Sequence, residues 1–111
     1  MTAVFFASGQ EMRDWLEANH TTADELWIGI YKKGSRKTGV TLAEAQDVAM
    51  CFGWVDSMTR RIDEDSYMLR FTLRRPRSNW TPGNVARAEE LIAQRLMHEA
   101  GVRAFERRQT R

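Results

Sequence analysis

The sequence has one cysteine, two prolines and no long apolar run among its 111 residues. A single cysteine cannot form an internal disulfide, so nothing indicates an oxidising compartment. The apolar stretches are far shorter than a membrane span or the core of a signal peptide. Repeats and low-complexity tracts are also absent. These absences exclude disulfide-rich and membrane-spanning classes, and we expect one cytoplasmic domain over residues 1–111.

Positive charge is concentrated in the second half of the chain and is almost wholly arginine. Residues 1–55 have 5 Lys or Arg against 7 Asp or Glu, whereas residues 56–111 have 12 against 8. Guanidinium groups are planar forks of donors that suit carboxylates and phosphates. With a net charge of only +2, this excess is typical either of a solvated surface or of a site for anions.

Helical spacing and capping residues predict four helices. Ser8 and Thr41 each precede a glutamate by three residues, which is the capping-box pattern, and Thr81 before a proline is typical of a third helix start. The third helix is predicted to run to about Met97, and Gly101 is predicted to separate it from a short, Arg-rich last helix.

Alternating apolar residues predict three strands. The first lies in "DELWIGIYKKG", and the runs Trp54–Ile62 and Tyr67–Arg74 flank a hairpin turn at "DEDS". The element order is therefore α-β-α-β-β-α-α. It favours an α+β fold with a small, largely antiparallel three-stranded sheet and helices packed on one face.

The stretch "MCFGWVDS" joins the second helix to the second strand. Cys51 ends a helix with no histidine partner pattern nearby, so we interpret it as a buried structural residue. Gly53 allows the chain to turn. Trp54 belongs either to the core or to the wall of a pocket.

Asp56 is the most informative residue of this stretch. An even hairpin loop places it opposite Leu73, on the apolar face shared with Met58 and Phe71, unless a one-residue bulge intervenes. A carboxylate on that face needs a partner, because an unpaired charge there costs several kcal/mol. It is therefore either a structural ion pair with a nearby arginine or a weak candidate for a catalytic acid or base.

The strongest candidate site is the arginine cluster around "RRPRSNWTPGN". Free backbone N–H groups at a helix start and several guanidinium groups form an arrangement that binds anions. Lys32 and Lys33 are expected to join it. The predicted ligand-binding residues are Trp54, Asp56, Arg70, Arg74, Arg75, Ser78, Trp80 and Asn84. The alternative is a solvated rim whose arginines pair with neighbouring acidic residues.

Other ligand classes find little support in the sequence. Nucleic acid is disfavoured, because the aromatic residues Tyr67 and Phe71 alternate with leucines and so belong to the core face. No spacing of Cys and His resembles a set of metal ligands, and no cofactor is implied. We therefore expect an anionic small molecule or a protein partner.

Four blocks of the sequence resemble the YdeI/OmpD-associated bacterial family, in the same order and over nearly the whole chain. They are "LWIGIYKKG", "GVTLAEAQDVAMCFGWVDS", "YMLRFTLRRPRSNWTPGN" and "ELIAQRLMHEAGVRAFE". Leu73 stands where that family usually has a proline, and Thr81 stands for its usual serine. The family's typical chain continues into a second, smaller helical domain that is absent here, so we expect a short member or a fragment.

The resemblance implies a role in bacteriocin protection, that is, protection against envelope stress or antimicrobial peptides. Our leading hypothesis is a non-catalytic binding module for an anionic ligand or partner. One alternative is a small enzyme that uses Asp56 as acid or base with arginine support. A second alternative is a protein-interaction domain.

Overall fold

The computed structural model describes residues 2–109, which form four helices and three strands in the predicted order. The helices are α1 (Gly9–Asn19), α2 (Leu42–Cys51), α3 (Pro82–Ala93) and α4 (Glu99–Glu106). The strands are β1 (Leu26–Tyr31), β2 (Trp54–Arg61) and β3 (Ser66–Leu73). The predicted α+β class is confirmed. Over this described range, no helix has both the length and the apolar character needed to cross a membrane.

Local capping explains where the first two helices begin. At α2, the hydroxyl of Thr41 accepts the N–H of Glu44 at 3.1 Å, and the Glu44 carboxylate accepts the N–H of Thr41 at 2.9 Å, which completes a capping box. At α1, Ser8 accepts the N–H of Glu11 in the same way, at 3.2 Å. The Glu11 carboxylate instead accepts the N–H of Ala7 at 3.4 Å, so only half of the predicted box forms there.

The three strands form one antiparallel sheet in the order β1-β3-β2. One face packs against the helices and forms the core, whereas the other is open. The buried core residues of the strands are Leu26, Ile28, Ile30, Trp54, Leu69 and Phe71. The helices cover them with Met12, Leu16, Ala45, Ala49, Ala88 and Leu91. On the outer edge of β1, Val4 forms a parallel bridge to Ile28.

The β2–β3 hairpin contains a bulge, and its predicted register is wrong. Asp56 lies opposite Phe71 rather than Leu73, and the register then shifts before Met58. Ser57 is the extra residue. Because directly opposite residues share a face, Asp56 points to the helix-covered side of the sheet with Phe71. Met58 is 45% exposed on the other face, so its predicted place beside Asp56 is also wrong.

Helix α4 crosses the corner between α2 and β2 at very short range. Gly53 has φ +78°, and a Cβ there would lie 2.8 Å from the Cβ of Ala104. Gly101 lies against the carbonyl group of Cys51, where a Cβ would collide. The predicted role of Gly101 as a separator is therefore wrong, because it is a buried residue inside α4 that allows this close approach.

Helix α3 ends at Ala93. The predicted end near Met97 is therefore wrong. The next residues form a Schellman motif, in which Leu96 N–H donates to the Leu91 carbonyl at 3.0 Å and Arg95 N–H to the Ile92 carbonyl at 2.9 Å. Arg95 takes the left-handed conformation at φ +61°. Glycine usually occupies that position, so the sequence lacks the ordinary stop signal.

Candidate functional site

A small cavity lies where α2, α3, the start of β2 and the end of β3 meet. Its volume is about 150 Å³. We call it the Arg74 pocket, and its lining consists of Gln46, Asp47, Ala49, Met50, Trp54, Val55, Asp56, Arg74, Asn84 and Arg87. Four of the eight predicted ligand-binding residues thus line one cavity: Trp54, Asp56, Arg74 and Asn84.

Arg74 is held in place by backbone and aromatic contacts. Its N–H donates to the carbonyl of Gly53 at 2.9 Å, which ties the end of β3 to the corner before β2. The guanidinium carbon lies 4.1 Å from the centre of the Trp80 ring. Trp80 in turn meets the ring of Phe105 from α4 edge-on, with the ring centres 5.5 Å apart. This stacking fixes the direction of the guanidinium group.

Two buried N–H groups at this pocket have no acceptor. They are Nε of Arg74 and Nε1 of Trp54, and neither has a hydrogen-bond partner among residues 2–109. Burial lowers the pKa of the Arg74 guanidinium, and the nearby charge of Asp56 acts in the opposite direction. A buried donor without a partner costs about 1–3 kcal/mol.

Asp47 and Arg87 form a two-point ion pair across the pocket wall. Nε of Arg87 donates to Oδ1 of Asp47 at 2.9 Å, and Nη2 donates to Oδ2 at 2.6 Å. The hydrogen bonds to Asp47 raise the pKa of Arg87, and the negative charge of Asp47 raises it further. The pair links α2 to α3, and its two charges compensate each other.

Asp56 has no such partner. Within the described range, no cationic nitrogen lies within 4.0 Å of its carboxylate, so the interpretation of Asp56 as a structural ion pair is wrong. It shares the cavity with Arg74 and acts on the pKa of that arginine through its charge alone. The pocket therefore offers an acceptor from Asp56 and the guanidinium group of Arg74 as a donor.

The start of α3 contributes less than the sequence suggests. Pro82 has no N–H, and the N–H of Asn84 is accepted by the Thr81 hydroxyl at 3.1 Å. The first intrahelical bond follows from Val85 to the Thr81 carbonyl. Of the first three helical residues, Pro82 to Asn84, only Gly83 therefore keeps an N–H for an anion, and the predicted row of free backbone donors is wrong.

Arg70 is separated from the pocket, against the prediction. It lies on the open face of the sheet, where its Nε donates to Oε1 of Glu25 at 2.6 Å and lowers the pKa of that carboxyl. Arg70 and Arg74 both belong to the predicted set of ligand-binding residues. Strand β3 ends at Leu73, however, so Arg74 leaves the strand alternation and its side chain lies beside α2 and α3.

The other predicted residues are near the pocket without lining it. Trp80 supports Arg74 from behind. Arg75 is exposed and lines a separate recess of about 80 Å³ beside Arg107. Ser78 closes the loop, since its N–H donates to the Arg75 carbonyl at 3.2 Å. Only part of the predicted cluster therefore forms a shared site.

Lys32 and Lys33 do not join the arginines. They follow β1, next to the start of β3, whereas Arg74 follows the end of β3. An eight-residue strand at about 3.3 Å per residue separates these two ends by roughly 25 Å. The expected combined cluster is therefore wrong.

Helical spacing could have identified Arg87, which sequence reasoning missed. Asn84, Arg87 and Leu91 recur at intervals of three and four, so they share one face of α3. Gln46 and Asp47 carry no comparable signal, because their place beside the pocket depends on how α2 packs on the sheet.

Cys51 is buried at the end of α2, as predicted, and burial raises the pKa of its thiol. In the described part of the chain, no group of three His, Cys, Asp or Glu side chains is arranged to hold a metal ion.

Comparison with known proteins identifies the family. The chain belongs to the family described as a domain of unknown function, DUF8412, which matches residues 4–104. Neither a curated protein nor a solved structure matches the chain.

Proposed function

We propose that this DUF8412 member is a binding module whose Arg74 pocket takes a compact molecule with an acidic group and a hydrogen-bond donor. The observation that carries the proposal is that the Arg74 guanidinium and the Asp56 carboxylate line one cavity, while neither forms an ion pair among residues 2–109. The acidic group would accept from Arg74, and the donor would reach Asp56.

The size and charge of the pocket narrow the ligand class. A cavity of about 150 Å³ lies below the range of about 300–1,000 Å³ that is usual for drug-sized ligands, so the molecule is small. The lining holds two carboxylates and two guanidinium groups, and one pair, Asp47 with Arg87, is already satisfied. A zwitterion of amino-acid size therefore complements the remaining charges better than a simple anion.

Thermal unfolding with matched small molecules tests this proposal. Glycine and β-alanine would be compared with acetate and phosphate, using the wild type, Arg74→Ala and the control Arg75→Ala. At ten times its Kd, a ligand adds about 1.4 kcal/mol of stability, which raises the melting temperature. We expect a zwitterion to raise it in the wild type and in Arg75→Ala only. A shift that persists in Arg74→Ala, or no shift with any of the four compounds, would contradict the proposal.

A second candidate function is catalysis by Asp56. The unpaired state of its carboxylate favours it, since a general acid or base must be free to exchange a proton. Arg74 would stabilise negative charge on the reacting molecule. Incubating the protein with any compound that binds, and following that compound by NMR over hours, separates the two functions. Turnover that is lost in Asp56→Asn without loss of stability indicates an enzyme, whereas an unchanged compound indicates a binding module.

The biological role remains a prediction from the resemblance to the YdeI/OmpD-associated family. It comprises protection against envelope stress or antimicrobial peptides and a cytoplasmic location. Survival of a bacterial deletion strain under peptide challenge, complemented with wild type or with Arg74→Ala, would test whether that role depends on the Arg74 pocket. Equal rescue by both would separate the role from the pocket.

A further inference from the structure

A second and larger cavity opens at the other end of α2. Its volume is about 540 Å³, and it lies between the end of β1, the start of β3 and the loop at 32–41. We call it the lysine cleft. Its lining consists of Ile30, Tyr31, Lys32, Lys33, Lys37, Thr38, Gly39, Val40, Thr41, Leu42, Ala43 and Tyr67. No residue of this lining belongs to the Arg74 pocket.

The charges of the lysine cleft are all positive and unpaired. It is lined by three lysines and no carboxylate, and no described carboxylate lies within 4.0 Å of their ammonium groups. Lys37 lies over the ring of Tyr31, at 5.8 Å from its centre. The carboxylate of Asp63 accepts hydrogen bonds from the N–H of Asp65 and the hydroxyl of Ser66, which lower its pKa. The charge of Lys37 lowers that pKa further, so it is the acidic group that lies near this lysine.

The walls of the cleft are mainly apolar and aromatic. Ile30 and Tyr67 are paired across β1 and β3, and Val40 is buried beside them. Tyr31 stacks on Phe5 with ring centres 4.7 Å apart, which holds that ring in place. An apolar body can therefore lie on these walls while an acidic group reaches the lysines.

The loop that bears the lysines is anchored at both ends. Lys32 N–H donates to the Asp65 carbonyl at 2.8 Å, and Val40 N–H donates to the Phe6 carbonyl at 2.9 Å. Gly39 passes so close to Phe6 that an added Cβ would lie 2.9 Å from its carbonyl oxygen. The shape of the cleft is thus specified by backbone contacts and not by the lysine side chains alone.

We propose that the lysine cleft is a second binding site, for a small organic anion with an aromatic body and a carboxylate or phosphate group. The apolar walls contact the ring, and the ammonium groups of Lys33 and Lys37 contact the acid. The two sites share no lining residue, so a negative result at the lysine cleft would leave the proposed function of the Arg74 pocket unaffected.

Calorimetric titration with 2-naphthoate and with the uncharged 2-naphthamide tests the proposal. We expect the acid to bind more tightly, with an affinity that falls as salt rises. Lys33→Gln and Lys37→Gln should each weaken binding by about twofold to fivefold, the range of exposed charge pairs. Arg36→Gln is the matched control, because Arg36 belongs to the same loop and does not line the cleft. Arg74→Ala should bind 2-naphthoate like the wild type.

A steric variant completes the test. Ala43→Leu adds bulk at the first turn of α2, inside the cleft, with a residue that suits a helix. It should weaken 2-naphthoate binding more than either lysine variant. Equal affinity for acid and amide, equal loss in Arg36→Gln, unchanged binding in Ala43→Leu, or no binding at all would each overturn the proposal.

Discussion

The Arg74 pocket and the lysine cleft lie at opposite ends of α2 and use positive charge in different ways. In the Arg74 pocket one guanidinium is paired with Asp47 and the other is stacked on Trp80. In the lysine cleft three ammonium groups are exposed and unpaired among the described residues. The pocket is also far smaller, at about 150 Å³ against about 540 Å³.

This difference shows which charges support the fold. The Asp47–Arg87 pair joins two helices, and the stack of Arg74 on Trp80 joins the end of β3 to α4 through Phe105. The lysines of the cleft form no ion pair among the described residues, and Lys37 lies only over Tyr31 of the same cleft. We therefore expect changes at Trp54, Arg74 or Arg87 to alter stability and ligand binding together. Changes at Asp56 or at the cleft should alter ligand binding alone.

The largest expected effect is at the wall of the Arg74 pocket. Trp54 is 1% exposed and belongs to the core as well as to the pocket. Trp54→Ala should cost about 3–5 kcal/mol, as large-to-small changes in a core do. The free energy of unfolding from urea titration measures this loss. Thr38→Ala, an exposed change in the lysine cleft, is the control, and equal stability of the two variants would break the comparison.

A smaller effect is expected from pH, through His98 at the start of α4. Its Nδ1 accepts the N–H of Ala100 at 3.0 Å, and its ring packs on Phe52 and His20. Burial and then the charge of His20 lower the pKa of His98 below its ordinary value of 6.5, although Glu99 acts in the opposite direction. The unfolded chain therefore binds a proton on His98 more readily than the folded chain does. The contribution of His98 to the free energy of unfolding is complete above pH 6.5 and is lost as the pH falls toward the lowered pKa of the folded protein.

Protonation of His98 also removes the acceptor that caps α4, and α4 supports Trp80 behind Arg74. Ligand binding at the Arg74 pocket should therefore weaken as the pH falls below the ordinary pKa of histidine, 6.5. His98→Asn keeps a capping side chain without the titration, so its stability should vary less as the pH falls. Melting temperatures above and below that pH check this, and parallel curves for both proteins would exclude His98 as the cause.

Asp56→Asn should change stability by no more than about 0.5 kcal/mol, because its carboxylate has no ion-pair partner to lose among residues 2–109. The same change should abolish the preference of the Arg74 pocket for a zwitterion over an anion of similar size. Unfolding in urea and titration with glycine and acetate measure the two effects. A large loss of stability would show that Asp56 supports the fold after all.

The smallest expected effect on stability is at the lysine cleft. Lys33→Gln removes an exposed charge that forms no ion pair within the described range, so its free energy of unfolding should stay within about 0.5 kcal/mol of the wild type. Urea unfolding measures it, with Arg36→Gln as the neighbouring control. A loss as large as that of Trp54→Ala would show that the cleft supports the fold in the same way as the pocket.

The parts of the fold that depend on residues close together in the sequence were predictable. Thr41 and Thr81 begin helices as expected, and the element order follows from the period of the apolar residues. The end of α3 was not predictable by the usual rule, because Arg95 occupies a position that glycine normally marks. The bulge at Ser57 likewise depends on both strands of the hairpin, and no residue type in the sequence indicates it.

The candidate site was predictable in part for the same reason. Arg74 and Asp56 were identified from chemistry close to the corner, and they share a cavity. Asp47 lies elsewhere in the sequence and reaches the pocket only through the packing of α2. Arg70 and Lys32 were grouped with Arg74 by charge, but the open face and the length of β3 separate them.

The bulge that brings Asp56 opposite Phe71 also has a consequence for how copies of this chain meet. Strand β2 is an outer strand of the sheet, and unpaired strand edges are templates on which other chains can assemble. The irregular spacing at Ser57 and the exposed side chains of Arg60 and Arg61 make that edge a poor template. On the opposite edge, the backbone of Val4 already occupies part of β1. The bulge that follows Asp56 therefore also makes this edge of the sheet less suited to pairing with a strand of another chain.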